Sequence, residues 1–264
     1  MPFLWYNSFV MNKNELLSSK IIRDALKDEY KKTNIKLFDS IDSTNLEAKR
    51  LKNVPCPFMI LADTQTDGRG RLGRSFYSPA STGLYMSIVQ DSKDIPDNPV
   101  TLTCMSAVAV SRATENLTGK KTAIKWVNDI YLSDKKVCGI LASGVFNENN
   151  TRLERVITGI GVNISTLSFP EGIDAASLNA DVSRNVLAAN ITNEFFDICG
   201  GKKEWVSYYR AHALLTGKRI KYIFDGNTHY GTAGDIDENG ALTVTDETGE
   251  VLSLFTGEVT VRIR

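Results

Sequence analysis

The spacing of apolar residues along the first 216 positions follows two periods, one typical of helices and one typical of strands. Asn98 followed by Pro99 suits the beginning of a long helix, which Gly119 would end. The predicted helices cover 15–32, a segment beginning near Ser43, 99–119, 183–199 and 203–215. The predicted strands cover 35–41, 58–62, 84–89, 122–126, 137–146 and 156–164. This order predicts an α+β fold in which helices flank a mixed sheet.

The pattern changes after Gly217, where short strand-like runs are separated by turn signals such as Asn239-Gly240 and Thr248-Gly249. The predicted strands cover 219–224, 229–236, 241–245, 251–255 and 258–263. Five short strands at this spacing predict a small closed β-barrel packed on the main domain. We therefore expect an N-terminal arm and helix at 1–34, a main domain at 35–216 and a small β-barrel domain at 217–264.

The composition is ordinary for a globular protein, and the charges balance. The chain has 264 residues, of which 42% are hydrophobic and 23% charged, with 31 Lys and Arg against 31 Asp and Glu. A net charge of zero provides no general positive field to attract nucleic acid or anionic lipid. The cysteines at 56, 104, 138 and 199 form no C-x-x-C pair, so their spacing predicts neither a zinc site nor a disulfide framework. A reducing cytoplasm is the simplest setting, and no membrane association is expected.

The apolar start at residues 1–10 has no preceding basic residues, and it is too short for a signal or membrane-spanning segment. We expect a mature cytosolic chain. Met11 is an alternative start codon, and the sequence does not choose between it and Met1.

The glycine-rich segment at 67–79 contains G-x-G-x-x-G at Gly68, Gly70 and Gly73, the spacing of a dinucleotide fingerprint. That interpretation fails, because Pro79 and Gly83 leave no room for the helix whose amino terminus would hold a pyrophosphate.

Three arginines lie within six residues of this segment: Arg69, Arg71 and Arg74. A solvated surface turn would usually include acidic residues among them. Glycine lets the backbone approach an anion closely, and guanidinium groups suit carboxylate and phosphate. The segment, hereafter the arginine loop, is therefore predicted to bind an anion.

Four segments taken together resemble the biotin protein ligases. They are Asp-Ser-Thr-Asn at 42–45, the run from Gln65 to Arg74, Lys-Trp-Val-Asn-Asp-Ile-Tyr at 125–131, and 136–141 leading to Gly-Ile-Gly-Val-Asn at 159–163. The resemblance extends over residues 35–264. It implies a class II synthetase-like biotin/lipoate ligase catalytic domain followed by an SH3-like β-barrel, in the monofunctional type that has no DNA-binding domain.

Members of that family activate biotin with ATP and Mg²⁺ to biotinyl-5′-AMP, and then transfer biotin to a specific lysine of a biotin carboxyl carrier protein or carboxylase subunit. The first step brings a carboxylate against a phosphate, and two anions in contact repel strongly in a partly shielded site. The resemblance implies that Lys136, Arg71 and Arg69, together with Mg²⁺, offset this repulsion.

The same resemblance assigns two sets of binding residues. The biotin set is Ser43, Thr44, Asn45, Gln65, Gly68, Arg69, Gly70, Arg71, Lys136, Gly139 and Gly159. The ATP set is Arg71, Arg74, Phe76, Lys125, Asn128, Asp129 and Asn163, with Asp129 also the candidate metal ligand. Simpler explanations remain open: a capping box formed by Thr44 and Glu47, an ordinary turn at 128–129, and a solvated hairpin lysine at 136.

Two positions depart from the family pattern. Phe76 replaces the usual tryptophan, which keeps an aromatic face for adenine but loses the indole N–H. Val127 replaces the usual proline, so that turn is less rigid.

Three other functions compete with biotin ligation as interpretations of this sequence. A lipoate or octanoate ligase shares the chemistry, but Gln65, the arginine loop and the closing barrel favour biotin. A non-catalytic biotin-binding module would bind biotin without releasing pyrophosphate.

Some family members also repress transcription through a helix-turn-helix domain, whereas the 42 residues before Ser43 predict one helix, so we expect no DNA binding. A sheet edge could pair two subunits in a homodimer or receive the acceptor protein, and the sequence does not choose between them.

Overall fold

The computed structural model describes residues 15–224, 226–255 and 259–261. The apolar start at 1–10 and the alternative start at Met11 lie outside these residues. The strands of the main domain are β1 (Asn34–Ile41), β2 (Phe58–Gln65), β3 (Gly83–Asp91), β4 (Ala123–Lys125), β5 (Asp129–Leu132), β6 (Lys135–Phe146) and β7 (Leu153–Asn163). The helices are α1 (Ser19–Ala25), α2 (Thr44–Arg50), α3 (Pro99–Thr118), α4 (Arg184–Cys199) and α5 (Val206–His212).

These strands form a seven-stranded sheet in the order β1-β2-β3-β7-β6-β5-β4. The β1–β2 pair is parallel and the other neighbours are antiparallel, so the predicted mixed sheet is confirmed. Successive side chains of a strand point to opposite faces. Met59 and Leu61 accordingly join the large core beneath α3 and α4, whereas Phe58 and Ile60 pack with Ala48 of α2 on the other face. The cavity described below lies on the α2 face.

The predicted helix at 99–119 is confirmed together with its end signals. The Asn98 side chain accepts a hydrogen bond from the Val100 N–H at 2.9 Å, and Pro99 occupies the first turn. Gly119 ends the helix with a φ of +69°, a conformation that costs glycine little.

Two predicted helices are shorter in the structure, because tertiary contacts replace their outer turns. The first ends at Ala25, since the Lys27 N–H donates to Asn193 of α4 at 3.0 Å and the Tyr30 hydroxyl donates to Asp197 at 2.8 Å. The last ends at His212, beyond which the Leu214 N–H donates to the Ile124 carbonyl and the chain joins the sheet. Strand β5 was not predicted, because its first residues resemble a turn.

The C-terminal strands are β8 (Arg219–Phe224), β9 (Asn227–Ile236), β10 (Leu242–Asp246), β11 (Val251–Leu254) and β12 (Val259–Val261). They pair antiparallel in the order β11-β10-β9-β8-β12. Within the described residues no pairing joins β11 to β12, so closure of the barrel stays a prediction.

The turn between β9 and β10 fastens this second sheet to the main domain. The Thr101 hydroxyl donates to the Asn239 carbonyl at 2.7 Å, and the Trp126 indole Nε1 donates to the Gly240 carbonyl at 2.9 Å. In the part of the chain that is described, no helix has the length and apolar composition required to cross a membrane.

Candidate functional site

A cavity of about 200 Å³ opens between the start of α2, the arginine loop, the β4–β5 turn and the middle of β6 and β7. All but two of the residues assigned from the sequence line it. They are Ser43, Thr44, Asn45, Gln65, Arg69, Gly70, Arg71, Arg74, Phe76, Lys125, Asn128, Asp129, Lys136, Gly139 and Gly159. Segments far apart in the chain therefore converge, as the resemblance implied. The exceptions are Gly68 and Asn163.

One end of the cavity is neutral and polar, and the beginning of α2 forms it. The Thr44 backbone N–H donates to Gln65 Oε1 at 2.8 Å, and the Thr44 hydroxyl lies 3.2 Å from the same oxygen. Ser43 occupies the N-cap position and Thr44 is the first helical residue, so the capping box expected of Thr44 and Glu47 is wrong. The Thr44 hydroxyl faces Gln65 on β2 instead of capping its own helix.

The acidic residue before this turn pairs with the far end of α2. Arg50 donates to both carboxylate oxygens of Asp42, and the Ser43 N–H donates to Asp42 Oδ1 at 2.7 Å. The hydrogen bond from Arg50 lowers the pKa of Asp42 from 3.8 to about 2. Asp42 is thus an anion that fastens the α2 entry turn, and it does not line the cavity.

The arginine loop folds back on itself. The Gly70 N–H donates to the Arg74 carbonyl and the Phe76 N–H to the Gly68 carbonyl, each at 2.7 Å. A Cβ on Gly68 would lie 2.8 Å from Ser78 Oγ, so glycine permits this close approach. Gly68 therefore allows the loop to fold tightly, although Gly68 itself does not line the cavity. A single 3-10 turn at Arg71–Gly73 is followed by extended chain into β3, which confirms that no dinucleotide-binding helix follows the glycines.

The other end of the cavity is cationic. Among the described residues, its lining contains five cations, Arg69, Arg71, Arg74, Lys125 and Lys136, and one carboxylate, Asp129. Such an excess of positive charge in a shielded cleft attracts anions. Two of these cations have polar partners in the lining: Lys136 Nζ lies 2.7 Å from Oδ1 of Asp129 on the neighbouring strand, and Arg71 Nη1 donates to Asn128 Oδ1 at 3.1 Å across the cavity.

Glycines on β6 and β7 make room for side chains that cross the sheet face. A Cβ on Gly159 would lie 2.7 Å from Asn45 Cγ, and one on Gly161 would lie 2.5 Å from Phe76 Cε1. Gly139 is less crowded, with Lys136 Nζ 3.2 Å from the same position. Because Gly159 and Gly161 have no side chains, Asn45 and the Phe76 ring can pack directly against the sheet.

Asn163 lies at the end of β7, outside the cavity lining. Its Nδ2 donates to the Ala176 carbonyl at 3.2 Å, and its buried Oδ1 has no partner among the described residues. The segment it holds, 165–176, runs beside the start of β6, where the Ala176 N–H donates to the Lys136 carbonyl and Lys135 pairs with Asp174. Asn163 thus holds the end of the 165–176 segment beside β7. Its assignment to the ATP site stays a prediction.

Sequence reasoning missed several lining residues: Leu72, Ser75, Trp126, Ile140, Leu141, Ile160, Gly161 and Val259. Gly161 had a signal, because it lies two positions from Gly159 on one strand and therefore on the same face. Val259 had none, since it comes from β12 of the second sheet.

Three comparisons with known proteins agree with this geometry. The model of the biotin/lipoate A/B protein ligase family matches residues 37–163. The bifunctional ligase/repressor BirA of Bacillus spizizenii is 32% identical over 257 residues, covering 91% of this chain and 78% of that protein. The biotin–acetyl-CoA-carboxylase ligase of Mycobacterium tuberculosis is 27% identical over 214 residues, covering 76% of this chain and 77% of that protein. The solved structure of a biotin protein ligase from Aquifex aeolicus in complex with biotin and ATP superposes with a TM-score of 0.74 at 28% identity, covering 87% of this chain and 98% of that one.

Proposed function

Because the chain belongs to the biotin/lipoate A/B protein ligase family, we propose that this cavity is where biotin is activated and handed to its acceptor. The protein is a biotin protein ligase that uses ATP. The observation that supports this location of the reaction is that the two ends of the cavity differ in charge. A neutral hydrogen-bonding end at Thr44 and Gln65 suits the ureido ring, and a cationic end at Arg71 and Lys136 suits a carboxylate beside phosphates.

In the first step a carboxylate oxygen of biotin attacks the α-phosphorus of ATP, and the bond from that phosphorus to the bridging oxygen of pyrophosphate breaks. Biotinyl-5′-AMP and pyrophosphate form. The carboxylate and the triphosphate are both anionic, so their approach requires positive charge that is already in place. We infer that Arg69 and Arg71 provide it from the arginine loop and Lys136 from β6.

In the second step the neutral amine of an acceptor lysine attacks the acyl carbon of the adenylate. AMP leaves with the bonding electron pair, and the nitrogen loses a proton as the amide forms. The family implies a biotin carboxyl carrier protein as the acceptor. Lys136 is proposed to stabilise the departing phosphate, because its ammonium group lies at the cationic end of the cavity.

The adenine is proposed to lie against Phe76, with Lys125 and Asn128 close to the phosphates and ribose. The Phe76 ring rests on Gly161 and meets Tyr85 edge to face, with ring centroids 6.4 Å apart. A ring held this way offers a fixed stacking surface without an indole N–H.

The donors present fit Mg²⁺ that enters with the nucleotide. Asp129 is the sole carboxylate of the lining, and no group of three His, Cys, Asp or Glu side chains converges within the described residues. Mg²⁺ commonly takes one or two protein carboxylates and completes its shell with phosphates and water. Asp129 would hold the ion, which supplies charge neutralisation on the phosphates when bound.

The test is pyrophosphate release from ATP and Mg²⁺ with biotin, lipoate, octanoate or no acid. Release with biotin alone is expected. Release with lipoate or octanoate would instead make the protein a ligase for those acids. Biotin binding without release would make it a binding module. Addition of EDTA is expected to stop release, and unchanged release would remove Mg²⁺ from the proposal.

Cytoplasmic location and lack of DNA binding remain predictions, and the choice between a homodimer and a sheet edge that receives the acceptor protein stays open. Sedimentation of the purified protein with and without biotinyl-5′-AMP tests the dimer. A specific, salt-resistant shift of promoter DNA would contradict the prediction on DNA binding.

A further inference from the structure

A buried serine near the end of the arginine loop holds the side chain of Gln65. Ser78 is 4% exposed and does not belong to the cavity lining, whereas Gln65 does. The Ser78 Oγ accepts a hydrogen bond from Gln65 Nε2 at 2.9 Å and donates one to the Phe76 carbonyl at 2.9 Å. Ser78 therefore supports a residue of the neutral end of the cavity without lining the cavity itself.

The direction of these hydrogen bonds is fixed by groups that only accept or only donate. A backbone carbonyl only accepts, so the single proton of the Ser78 hydroxyl goes to Phe76. The lone pairs of Ser78 Oγ then face Gln65, which must present Nε2 to them. At the other end of the same amide, the Thr44 backbone N–H only donates, and it meets Gln65 Oε1 at 2.8 Å. Both ends of the amide thus require the same orientation.

The Gln65 amide is held at two points, one on each side. Thr44 fixes the position of Oε1, and Ser78 fixes the position of Nε2. A planar group held at one atom can still rotate about that atom, whereas a second hydrogen bond at the opposite end fixes the plane. Without the Ser78 hydroxyl, Gln65 would keep its contact with Thr44 and lose the contact that determines how the amide faces the cavity.

Gly68 makes this arrangement possible. A Cβ on Gly68 would lie 2.4 Å from the Phe76 carbonyl oxygen, 2.8 Å from Ser78 Oγ and 3.1 Å from Gln65 Nε2. The three atoms joined by the Ser78 hydroxyl therefore converge on the one position where the chain has no side chain. Gly68, which the resemblance assigned to biotin although it does not line the cavity, has a place in this contact.

We propose that Ser78 is a positioning residue for biotin, whose hydroxyl holds the Gln65 amide in the orientation that receives the head group, in the space that Gly68 leaves open. The inference rests on the proposed function and extends it to a residue outside the cavity lining. A binding side chain that is already ordered costs less conformational entropy when the ligand arrives. The contribution of Ser78 should therefore appear in biotin affinity and not in the chemical step.

The first test measures biotin binding by calorimetry in the full-length protein without ATP. Ser78→Ala is expected to raise the Kd for biotin about tenfold, the size of one lost hydrogen bond together with the ordering of one side chain. Ser106→Ala is the matched control, because Ser106 of α3 is also buried and donates to the Leu102 carbonyl at 2.6 Å, outside the cavity. The control is expected to bind biotin as tightly as wild type.

A double-mutant cycle shows whether Ser78 acts through Gln65. Gln65→Met keeps the length of the side chain and removes the amide that Ser78 holds. In the Gln65→Met background, Ser78→Ala is expected to change the Kd for biotin by less than about twofold, because the two substitutions remove the same contact. A serine that only packs would weaken binding equally in both backgrounds.

Steady-state kinetics separate this role from a general loss of structure. Ser78→Ala is expected to leave kcat at saturating biotin and ATP within about twofold of wild type, since the reacting groups lie at the cationic end. The KM for ATP is expected to change less than the Kd for biotin, because the Phe76 ring is also held by Gly161 and Tyr85.

Three results would overturn the inference: unchanged biotin affinity in Ser78→Ala, an equal loss in the Gln65→Met background, or a KM for ATP that rises as much as the Kd for biotin. If Ser78→Ala does not fold, Ser78→Cys replaces it and is expected to weaken biotin in the same direction, because a thiol is a weak donor and a weak acceptor. Wild-type protein that does not bind biotin would instead contradict the proposed function.

Discussion

Lys136 Nζ lies 2.7 Å from Oδ1 of Asp129, and both side chains are less than one third exposed. The pair spans neighbouring strands, β6 and β5, at the point where both enter the cavity. A lysine held in this way keeps its charge at a fixed place, so little reorganisation is required when a phosphate arrives.

Lys136→Ala is therefore expected to lower the rate of biotinyl-5′-AMP formation by about a hundredfold or more, as loss of one preorganised donor does in other enzymes. The measurement is single-turnover adenylate formation at saturating biotin and ATP. Lys135→Ala is the matched control, because its side chain points outward to Asp174. A loss confined to biotin affinity would make Lys136 a binding residue only.

Arg71→Gly is expected to speed release of the adenylate. Arg71 joins the arginine loop to Asn128 across the cavity, so its loss removes a contact that ties the loop to the opposite wall. Dissociation of labelled biotinyl-5′-AMP after dilution measures the effect, and escape of the adenylate would also biotinylate unrelated lysines. Arg152→Gly, at an exposed arginine beside the β6–β7 turn, is the control. Equal release from wild type and Arg71→Gly would show that the loop does not retain the adenylate.

Gly161→Ala is expected to raise the KM for ATP more than the KM for biotin. The new methyl group would lie 2.5 Å from the Phe76 ring, which must move from its seat on β7. Gly144→Ala on β6 is the control, since its nearest neighbour is the end of the Leu153 side chain at 2.8 Å. Parallel changes in both KM values would contradict a specific role of Phe76 in the nucleotide site.

Asp42→Asn is expected to destabilise the protein near neutral pH and to have no effect in strong acid. The pKa of Asp42 is about 2 in the folded protein against 3.8 ordinarily, so its carboxylate favours the folded state above pH 3.8. That contribution is lost as the pH falls from about 4 to about 2. Urea midpoints of wild type and variant across this range measure it. The difference should also shrink in an Arg50→Gln background, and a difference at pH 2 as large as that at neutral pH would contradict the assignment.

The sequence was informative where a local signal determined the structure. Asn98 and Gly119 marked the ends of α3 because capping depends on adjacent residues. The converging motifs at Thr44, Arg71 and Lys136 identified most of the cavity, since each lies in a recognisable segment.

The missed features depend on distant partners. The first helix stops at Ala25 because α4 provides Asn193 and Asp197, which a local pattern does not contain. Ser87 is a polar residue in an otherwise mostly apolar strand, and its hydrogen-bond partners Thr44 and Asn45 lie about forty positions earlier in the chain. Val259 reached the cavity only through the way the two sheets dock.

The walls of one cavity are supplied by residues from Ser43 to Val259. A ribosome adds roughly 5–20 residues per second, so synthesis of the interval between them takes on the order of ten to forty seconds. During that time the arginine loop and Lys136 can already be outside the ribosome while the wall from β12 does not yet exist. A nascent chain can therefore display most of the recognition residues and still lack a finished binding site, and the site can be completed only after Val259 has been synthesised.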